Sequence, residues 1–371
     1  MTEEGEAGIP PDEDEFEVAL LGPGYGESIV LHIGFGSWVI VDSCIDEAES
    51  PRALEYLASI GVSPKQAVNL IVATHWHDDH IRGMAKLVEV CSKADFCCAG
   101  ALRNKEFLAA TGALEGRHFS EDGSGVREIH GVFTWLRSKG ASPTFAVANR
   151  RIYAQGGCEI WSLAPDDAAF QNFLKSVGNL FPGENRTKTR IPSITPNDMS
   201  VVLWIGVDDI AVLLGSDLEN RGWIRIQESK ERPTGKASVF KVPHHGSANA
   251  HESGVWNRML DPKPFAVLAP WQRGNRILPT KSDVQRILSH TPNAYASTSG
   301  GLRAPTGRRE NNMVHRTIRE SEVRLQRLEM SFDAIRLRRK IGLRTRWKVA
   351  TLGNACHLND FANIMKVDLN R

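Results

Sequence analysis

The chain has 371 residues, 41% hydrophobic and 24% charged, enough apolar material for one large domain or two ordinary ones and too much for a disordered protein. Its 45 Lys and Arg against 44 Asp and Glu leave a net charge of +1, so no global attraction to polyanions follows. Six scattered cysteines (Cys44, Cys91, Cys97, Cys98, Cys158, Cys356) form neither a disulfide framework nor a paired zinc spacing, and no apolar run reaches the ~18 residues that cross a bilayer.

The acidic stretch Met1 to Glu17 lacks the apolar core of a signal peptide, so a reducing cytoplasm is the expected setting. Residues 1–16 read as a tail. Glu17 to Leu21 reads as a strand, Gly22 to Gly26 as a turn, and Ser28–Ile33 with Ser37–Asp42 as a hairpin. Leu54, Leu57 and Ile60 carry helical spacing after Ser50-Pro51, a cap followed by a first-turn proline. A strand over Ala67–Ala73 then runs into Thr74-His75-Trp76-His77-Asp78-Asp79-His80, and a helix is expected over Gly83–Cys91. Helices are expected over Leu102–Ala110, Arg127–Lys139 and Asp167–Asn179, with two short strands around Gly156-Gly157 and a connection over Phe181–Pro196.

The second half continues with strands at Ser200–Ile205 and Ile210–Leu214, each entering a polar turn. Ser238–Val242 leads into Pro243-His244-His245-Gly246-Ser247. Strand Pro264–Leu268, helix Lys281–Ser289, strand Ala294–Ser297 and a last hairpin (Ala334–Arg339, Arg346–Leu352) complete the order. Strand-rich halves with interposed helices predict two packed sheets with helices outside. From Arg303 to Lys348, 14 Lys and Arg stand against 5 Asp and Glu. This basic segment either contacts a polyanion or balances the acidic N-terminus, and its sequence does not choose.

Chemistry concentrates in the Thr74–His80 run. Only 12 histidines occur in the chain, and three fall within six positions beside two carboxylates. Neutral imidazole and carboxylate are ligands for zinc, iron and manganese. On a strand, a His-x-His pair turns both rings to one face. Asp42, Leu214-Gly215-Ser216-Asp217 and Pro243–Ser247 likewise stand at the ends of apolar strands, which makes four clusters in all.

These four clusters resemble a metallo-β-lactamase-fold hydrolase, whose motif is His-x-His-x-Asp-His. A narrower similarity is to the hydrolase domain attached to bacterial competence DNA-uptake channels. It rests on Gly24-Tyr25-Gly26-Glu27-Ser28, Asn197-Asp198-Met199-Ser200-Val201-Val202-Leu203, Gly215-Ser216-Asp217 and His244-His245-Gly246-Ser247. The resemblance implies an α+β, four-layer αββα sandwich over residues 17–300, with a basic C-terminal extension over 301–371. It implies that His75 and His77 bind a first metal, Asp79 and His80 a second, and that Asp217 bridges them. One histidine of the last cluster completes the second site: Val242-Pro243-His244-His245-Gly246 aligns with Val-Pro-x-His-Gly and favours His245, with His244 orienting substrate or taking the ligand role instead. Asp42 would hold ligand orientation from behind, unless it only caps a turn, and Asp78 or Asp79 would relay a proton. The expected ions are zinc, one or two, with manganese as the oxygen-tolerant alternative.

One departure from the family pattern stands out. No histidine lies near Ile160–Pro165, where a third ligand of the first metal is expected, though Asp166 and Asp167 are close in sequence. The implied activity is hydrolysis by metal-activated water, with a phosphodiesterase or nuclease leading. A carbonyl hydrolase for lactones, lactams or thioesters is the alternative, and a non-catalytic metal-binding module comes third. β-Lactamase activity itself is not expected, since such enzymes are exported. The partners anticipated are nucleic acid or another phosphodiester, and no membrane.

Overall fold

The structure is a computed structural model and describes residues 8–22, 26–103, 124–178, 196–273, 276–299 and 333–361. The helix expected over 102–110 and most of the basic segment lie outside these residues. In chain order the strands are β1 (Glu15–Leu21), β2 (Ser28–His32), β3 (Trp38–Val41), β4 (Val68–Ala73), β5 (Asp95–Ala99), β6 (Thr144–Ala146), β7 (Arg150–Gln155), β8 (Cys158–Ser162) and β9 (Leu203–Val207). They continue with β10 (Ile210–Leu214), β11 (Ala237–Lys241), β12 (Leu260–Leu268), β13 (Trp271–Arg273), β14 (Arg276–Leu278), β15 (Ala294–Ala296), β16 (Ala334–Lys340), β17 (Lys348–Leu352) and β18 (Cys356–His357). The helices are α1 (Arg52–Ser59), α2 (Pro64–Ala67), α3 (Asp78–Ile81), α4 (Met84–Val90), α5 (Ser124–Ser138), α6 (Asp167–Gly178), α7 (Asn220–Glu228), α8 (Ser253–Arg258) and α9 (Lys281–His290).

Two eight-stranded sheets result, in the orders β17-β16-β1-β2-β3-β4-β5-β6 and β18-β15-β12-β11-β10-β9-β8-β7. Alternation along each strand decides the layers, because successive side chains point to opposite faces. In β1, Phe16, Val18 and Leu20 enter the core between the sheets, where they meet Leu203, Ile205 and Val212. Ala19 and Leu21 point the other way, under Tyr56, Leu57, Met84 and Leu87 of the outer helices. The second sheet repeats the pattern: Val239 faces inward, while Phe240 lies under Trp223, Trp256 and Ile287. Each such side chain, fully buried, contributes about 1.5–3 kcal/mol. The architecture is thus an α+β sandwich of two mixed sheets flanked by helices, with an added C-terminal region.

Topology places the chemistry. β3, β4, β5 and β6 run parallel in the first sheet, as do β10, β11, β12 and β15 in the second. Parallel strands end on the same edge, so the loops after β3, β4, β10 and β11 converge.

The C-terminal region joins the sheets. β16 pairs antiparallel with β1, setting Arg338 opposite Glu17 and Lys340 opposite Glu15. Arg338 Nε donates to the buried Glu17 at 2.5 Å, and Lys340 Nζ reaches Asp12 at 2.8 Å and Asp14 at 2.5 Å. Arg339 pairs with Asp209. Three basic residues of the segment, Arg338, Arg339 and Lys340, are therefore engaged with acidic groups of the same chain, including part of the stretch read as a tail. Among the described residues, no helix is long and apolar enough to cross a membrane.

Candidate metal centre

The centre is built on strand ends whose backbone is held in unusual conformations. Asp42, Ser216, His244 and His245 have φ of 60°, 46°, 49° and 53°, a left-handed region that non-glycine residues reach at a cost. Asp42, directly after β3, accepts the Thr74 N–H on Oδ1 at 2.7 Å, and the Thr74 O–H on Oδ2 at 2.7 Å. Oδ2 also meets His80 Nδ1 at 2.8 Å. Of its partners the Thr74 N–H can only donate, and an ionised Asp42 draws the Thr74 hydroxyl hydrogen to itself and the His80 hydrogen to Nδ1, leaving Nε2 free to point inward.

The same logic orients the other rings. Thr74 Oγ1 gives its hydrogen to Asp42, receives one from Ser216 Oγ at 2.8 Å, and lies 3.0 Å from His75 Nδ1. His75 Nε2 then faces His77 Nδ1 at 3.1 Å and Asp217 Oδ2 at 4.0 Å. His245 Nδ1 donates to the Ala269 carbonyl at 2.9 Å, which turns its Nε2 to Asp79 Oδ2 at 3.3 Å and Asp217 Oδ2 at 3.8 Å. His80 Nε2 lies 3.3 Å from Asp217 Oδ1.

Two abutting ligand groups emerge, His75 with His77 and Asp217, and Asp79 with His80 and His245, and a third set, Glu27 with His80 and Asp217, overlaps both. Among the described residues, His80 Nε2, His245 Nε2 and Asp217 Oδ1 are buried without a hydrogen-bond partner. Leaving such an atom unpaired costs about 1–3 kcal/mol, more for charged groups. Two ligands about 2.1 Å from a tetrahedral ion stand about 3.4 Å apart, which is the spacing seen here. The residues fit divalent cations. Charge points the same way: Glu27, Asp42, Asp79 and Asp217 are buried carboxylates against one buried ammonium, Lys241. Burial disfavours a charge on His80 and His245, yet the facing carboxylates, Asp217 foremost, raise both above the ordinary imidazole range. Burial, reinforced by the charges of His80 and His77, holds His75 well below it.

The structure separates the two histidines of the last cluster. His245 enters the ligand group, whereas His244 sits half-buried at the rim, its Nε2 3.4 Å from Asn197 Nδ2 and its Nδ1 3.9 Å from Glu219. Asp78 takes a structural contact, accepting the Gly125 N–H at 2.8 Å at the start of α5. Asp166, close in sequence to the missing third histidine, is occupied elsewhere: it pairs with Arg225 Nε at 2.6 Å and accepts the Ala169 N–H at 2.9 Å. Asp167 is exposed. Neither belongs to a ligand group among the described residues. Glu27 and Lys241 were not read as site residues. The signal available was a Lys inside an otherwise apolar strand.

The profile of the Metallo-beta-lactamase superfamily matches residues 21–253. The chain belongs to this superfamily. Within this metallo-beta-lactamase domain lie all six histidines and aspartates of the two ligand groups. A comparison with curated proteins finds no match. Among solved structures, the metallo-beta-lactamase fold protein YhfI from Bacillus subtilis is 13% identical with a TM-score of 0.33, covering 61% of this chain and 70% of that one. A Cronobacter sakazakii metallo-beta-lactamase HARLDQ motif mutant is 16% identical at 0.35, covering 63% and 79%. CmlA, a diiron beta-hydroxylase from Streptomyces venezuelae, is 13% identical at 0.33, covering 63% and 35%.

Proposed function

We propose that this metal-dependent hydrolase is a phosphodiesterase acting on nucleic acid, with one or two zinc ions, or manganese, at the strand-end centre. The observation that carries the reading is the pair of abutting ligand groups with the buried Asp217 between them, a member of the first and 3.3 Å from His80 Nε2 and 3.8 Å from His245 Nε2 of the second. His75, His77 and Asp217 would hold one ion; Asp79, His80 and His245, with Asp217, the other. Bound ions would supply Lewis acidity, lowering the pKa of water and offsetting charge that develops at the attacked centre. Two divalent charges also match the excess of buried carboxylates.

The protein's own groups do the rest. Asp42 fixes the His80 tautomer. His244, kept neutral by burial despite the nearby Asp217, presents a rim nitrogen beside Asn197 where a phosphoryl oxygen can be oriented. With Asp166 engaged by Arg225, the first group has three protein ligands, one of them the half-buried His77, and this leaves a side for an anionic substrate oxygen. The narrower resemblance to competence-channel hydrolases supports the phosphodiester class. Six unpaired cysteines support a reducing cytoplasm.

The test is turnover by metal-loaded protein of bis-p-nitrophenyl phosphate and of labelled single- and double-stranded DNA and RNA. Phosphodiester cleavage is expected, abolished by chelation. His77→Ala should reduce it by more than the about 100-fold that a merely supporting residue costs. Turnover of lactones or thioesters with no phosphodiester would make the chain a carbonyl hydrolase instead. A His77→Ala protein with full metal content and activity would remove the ligand assignment.

A further inference from the structure

The segment Gly26-Glu27-Ser28 touches the ligand loops with every residue. Gly26 has φ +88°, and a Cβ there would stand 2.9 Å from Cys44 Cβ and 3.0 Å from the Asp79 carbonyl oxygen. The Glu27 N–H donates to that same carbonyl at 2.9 Å, and Ser28 Oγ donates to the Asp42 carbonyl at 2.9 Å. So close an approach delivers one side chain, the carboxylate of Glu27, into the protein interior behind the centre.

Where that carboxylate lies is informative. Its Oε1 is 3.7 Å from His80 Nδ1 and its Oε2 3.8 Å from His245 Nδ1. Both contacts are to the Nδ1 edges, while the Nε2 atoms of the same rings face Asp79 and Asp217. By these contacts Glu27 stands behind the two imidazoles of one ligand group, while also lying within 4.8 Å of ligand atoms of His80 and Asp217. Lys241, wholly buried, pairs with Glu27 Oε1 at 2.5 Å, donates to the Ser216 carbonyl at 3.0 Å, and lies 3.9 Å from Asp217 Oδ1. One ammonium thus joins the carboxylate behind the histidines to the carboxylate between the two groups. Among the described residues, the ion-pair partners of Glu27 are His80, Lys241 and His245, not His75 or His77.

We propose that Glu27, clamped by Lys241, is a positioning residue that sets the cation affinity of the Asp79–His80–His245 group. Asp42 and the Ala269 carbonyl take the two Nδ1 hydrogens at 2.8 and 2.9 Å, and the Glu27 charge, 3.7 and 3.8 Å away, reinforces those hydrogens electrostatically, so that both Nε2 atoms present lone pairs inward. Lys241 holds Glu27 in place and keeps the buried carboxylates from repelling one another. This rests on the metal reading of the centre. It extends that reading to two residues outside the motif.

The experiment is a Co²⁺ titration of the full chain, followed by calorimetry and visible absorption, beside thermal melts of the ion-free proteins. Counting Asp217, 3.3 Å from His80 Nε2 and 3.8 Å from His245 Nε2, the Asp79–His80–His245 group has four available ligands and is expected to be the tighter one. Glu27→Gln should weaken the tighter equivalent about 10- to 100-fold and alter its absorption, while any weaker equivalent changes by less than about threefold. The double variant Glu27→Gln/Lys241→Met removes both charges, so it should regain any thermal stability lost in the single variant yet still bind Co²⁺ weakly. A Glu27→Gln protein that binds like wild type overturns the inference. So does a double variant that regains affinity together with stability, since the pair would then be only a structural ion pair. Wild-type protein that binds no Co²⁺ at all would instead overturn the metal reading beneath it.

Discussion

A carboxylate that never touches an ion can decide whether a histidine binds one. Asp42 receives hydrogens from Thr74 N, Thr74 Oγ1 and His80 Nδ1. In Asp42→Asn, if the remaining oxygen keeps the Thr74 N–H, the new amide turns its hydrogens toward His80 Nδ1. The ring must then present a lone pair there and carry its hydrogen on Nε2, aimed at Asp217. Cation affinity should fall about 10- to 100-fold, and the ion-free protein should lose about 1–3 kcal/mol; competition with a chromophoric chelator and a denaturant titration measure the two. Unchanged affinity would leave Asp42 as a turn cap. The residues gathered here were legible in the sequence to the extent that they stood at strand ends in a dense motif, as His75 to His80, Asp217 and His245 do. Glu27 was visible only as part of a resemblance, because a single Glu in a turn carries no periodicity. His244 and His245 are adjacent and chemically alike, and only the backbone turn, with both residues at positive φ, separates their directions.

Elements with a strong period were readable, and those without were not. β10 is apolar throughout and β4 is apolar but for Asn69, and both stood out as strands. No helix was expected at α7, where the polar Asn220, Arg221, Arg225, Gln227 and Glu228 outnumber the buried Gly222, Trp223 and Ile226. β5 was missed because Asp95-Phe96-Cys97-Cys98-Ala99 lacks β-branched residues, and β12 was expected to begin only at Pro264 because prolines disfavour a central strand; it begins at Leu260. α1 carries a pH dependence of its own. Burial, with the neighbouring Asp46 carboxylate, pushes Glu55 up to about 7 from an ordinary 4.5. A folded-state pKa above the unfolded one means that the folded protein holds the proton more tightly. The contribution is therefore complete below the unfolded value and is lost as pH rises through the folded one. Tm of the ion-free protein should fall between about pH 5 and pH 8. Glu55→Gln, fixed in a neutral form, should flatten that fall, since the Arg52 pair it gives up is partly exposed and weak. Parallel profiles for the two proteins would show that Glu55 does not titrate in this way.

At the scale of the molecule, the C-terminal region changes meaning. The 14 basic residues over 303–348 left two readings open, contact with a polyanion or balance of the acidic N-terminus, and three of them, Arg338, Arg339 and Lys340, are paired with Glu17, Asp209, Asp12 and Asp14. β16 also supplies Ile335 and Leu337 to the core between the sheets. Glu17 depends on it most: it is fully buried, with Tyr56 Oη at 2.6 Å and Arg338 Nε at 2.5 Å as its partners. Stripping the cation from a buried pair costs about 3–5 kcal/mol, and exposing the edge of β1 adds a strand-pairing liability. Together these rival the about 5–15 kcal/mol that holds a domain folded. A chain ending at residue 332 should therefore lose its cooperative melt and its soluble yield, and Arg338→Ala alone should lower Tm in the full-length protein. If the region served only to contact nucleic acid, the shortened chain would melt like the parent and lose only the salt-dependent part of its DNA affinity. Circular dichroism melts, read beside binding at two salt concentrations, separate a strand that completes a sheet from an arm that reaches for a polyanion.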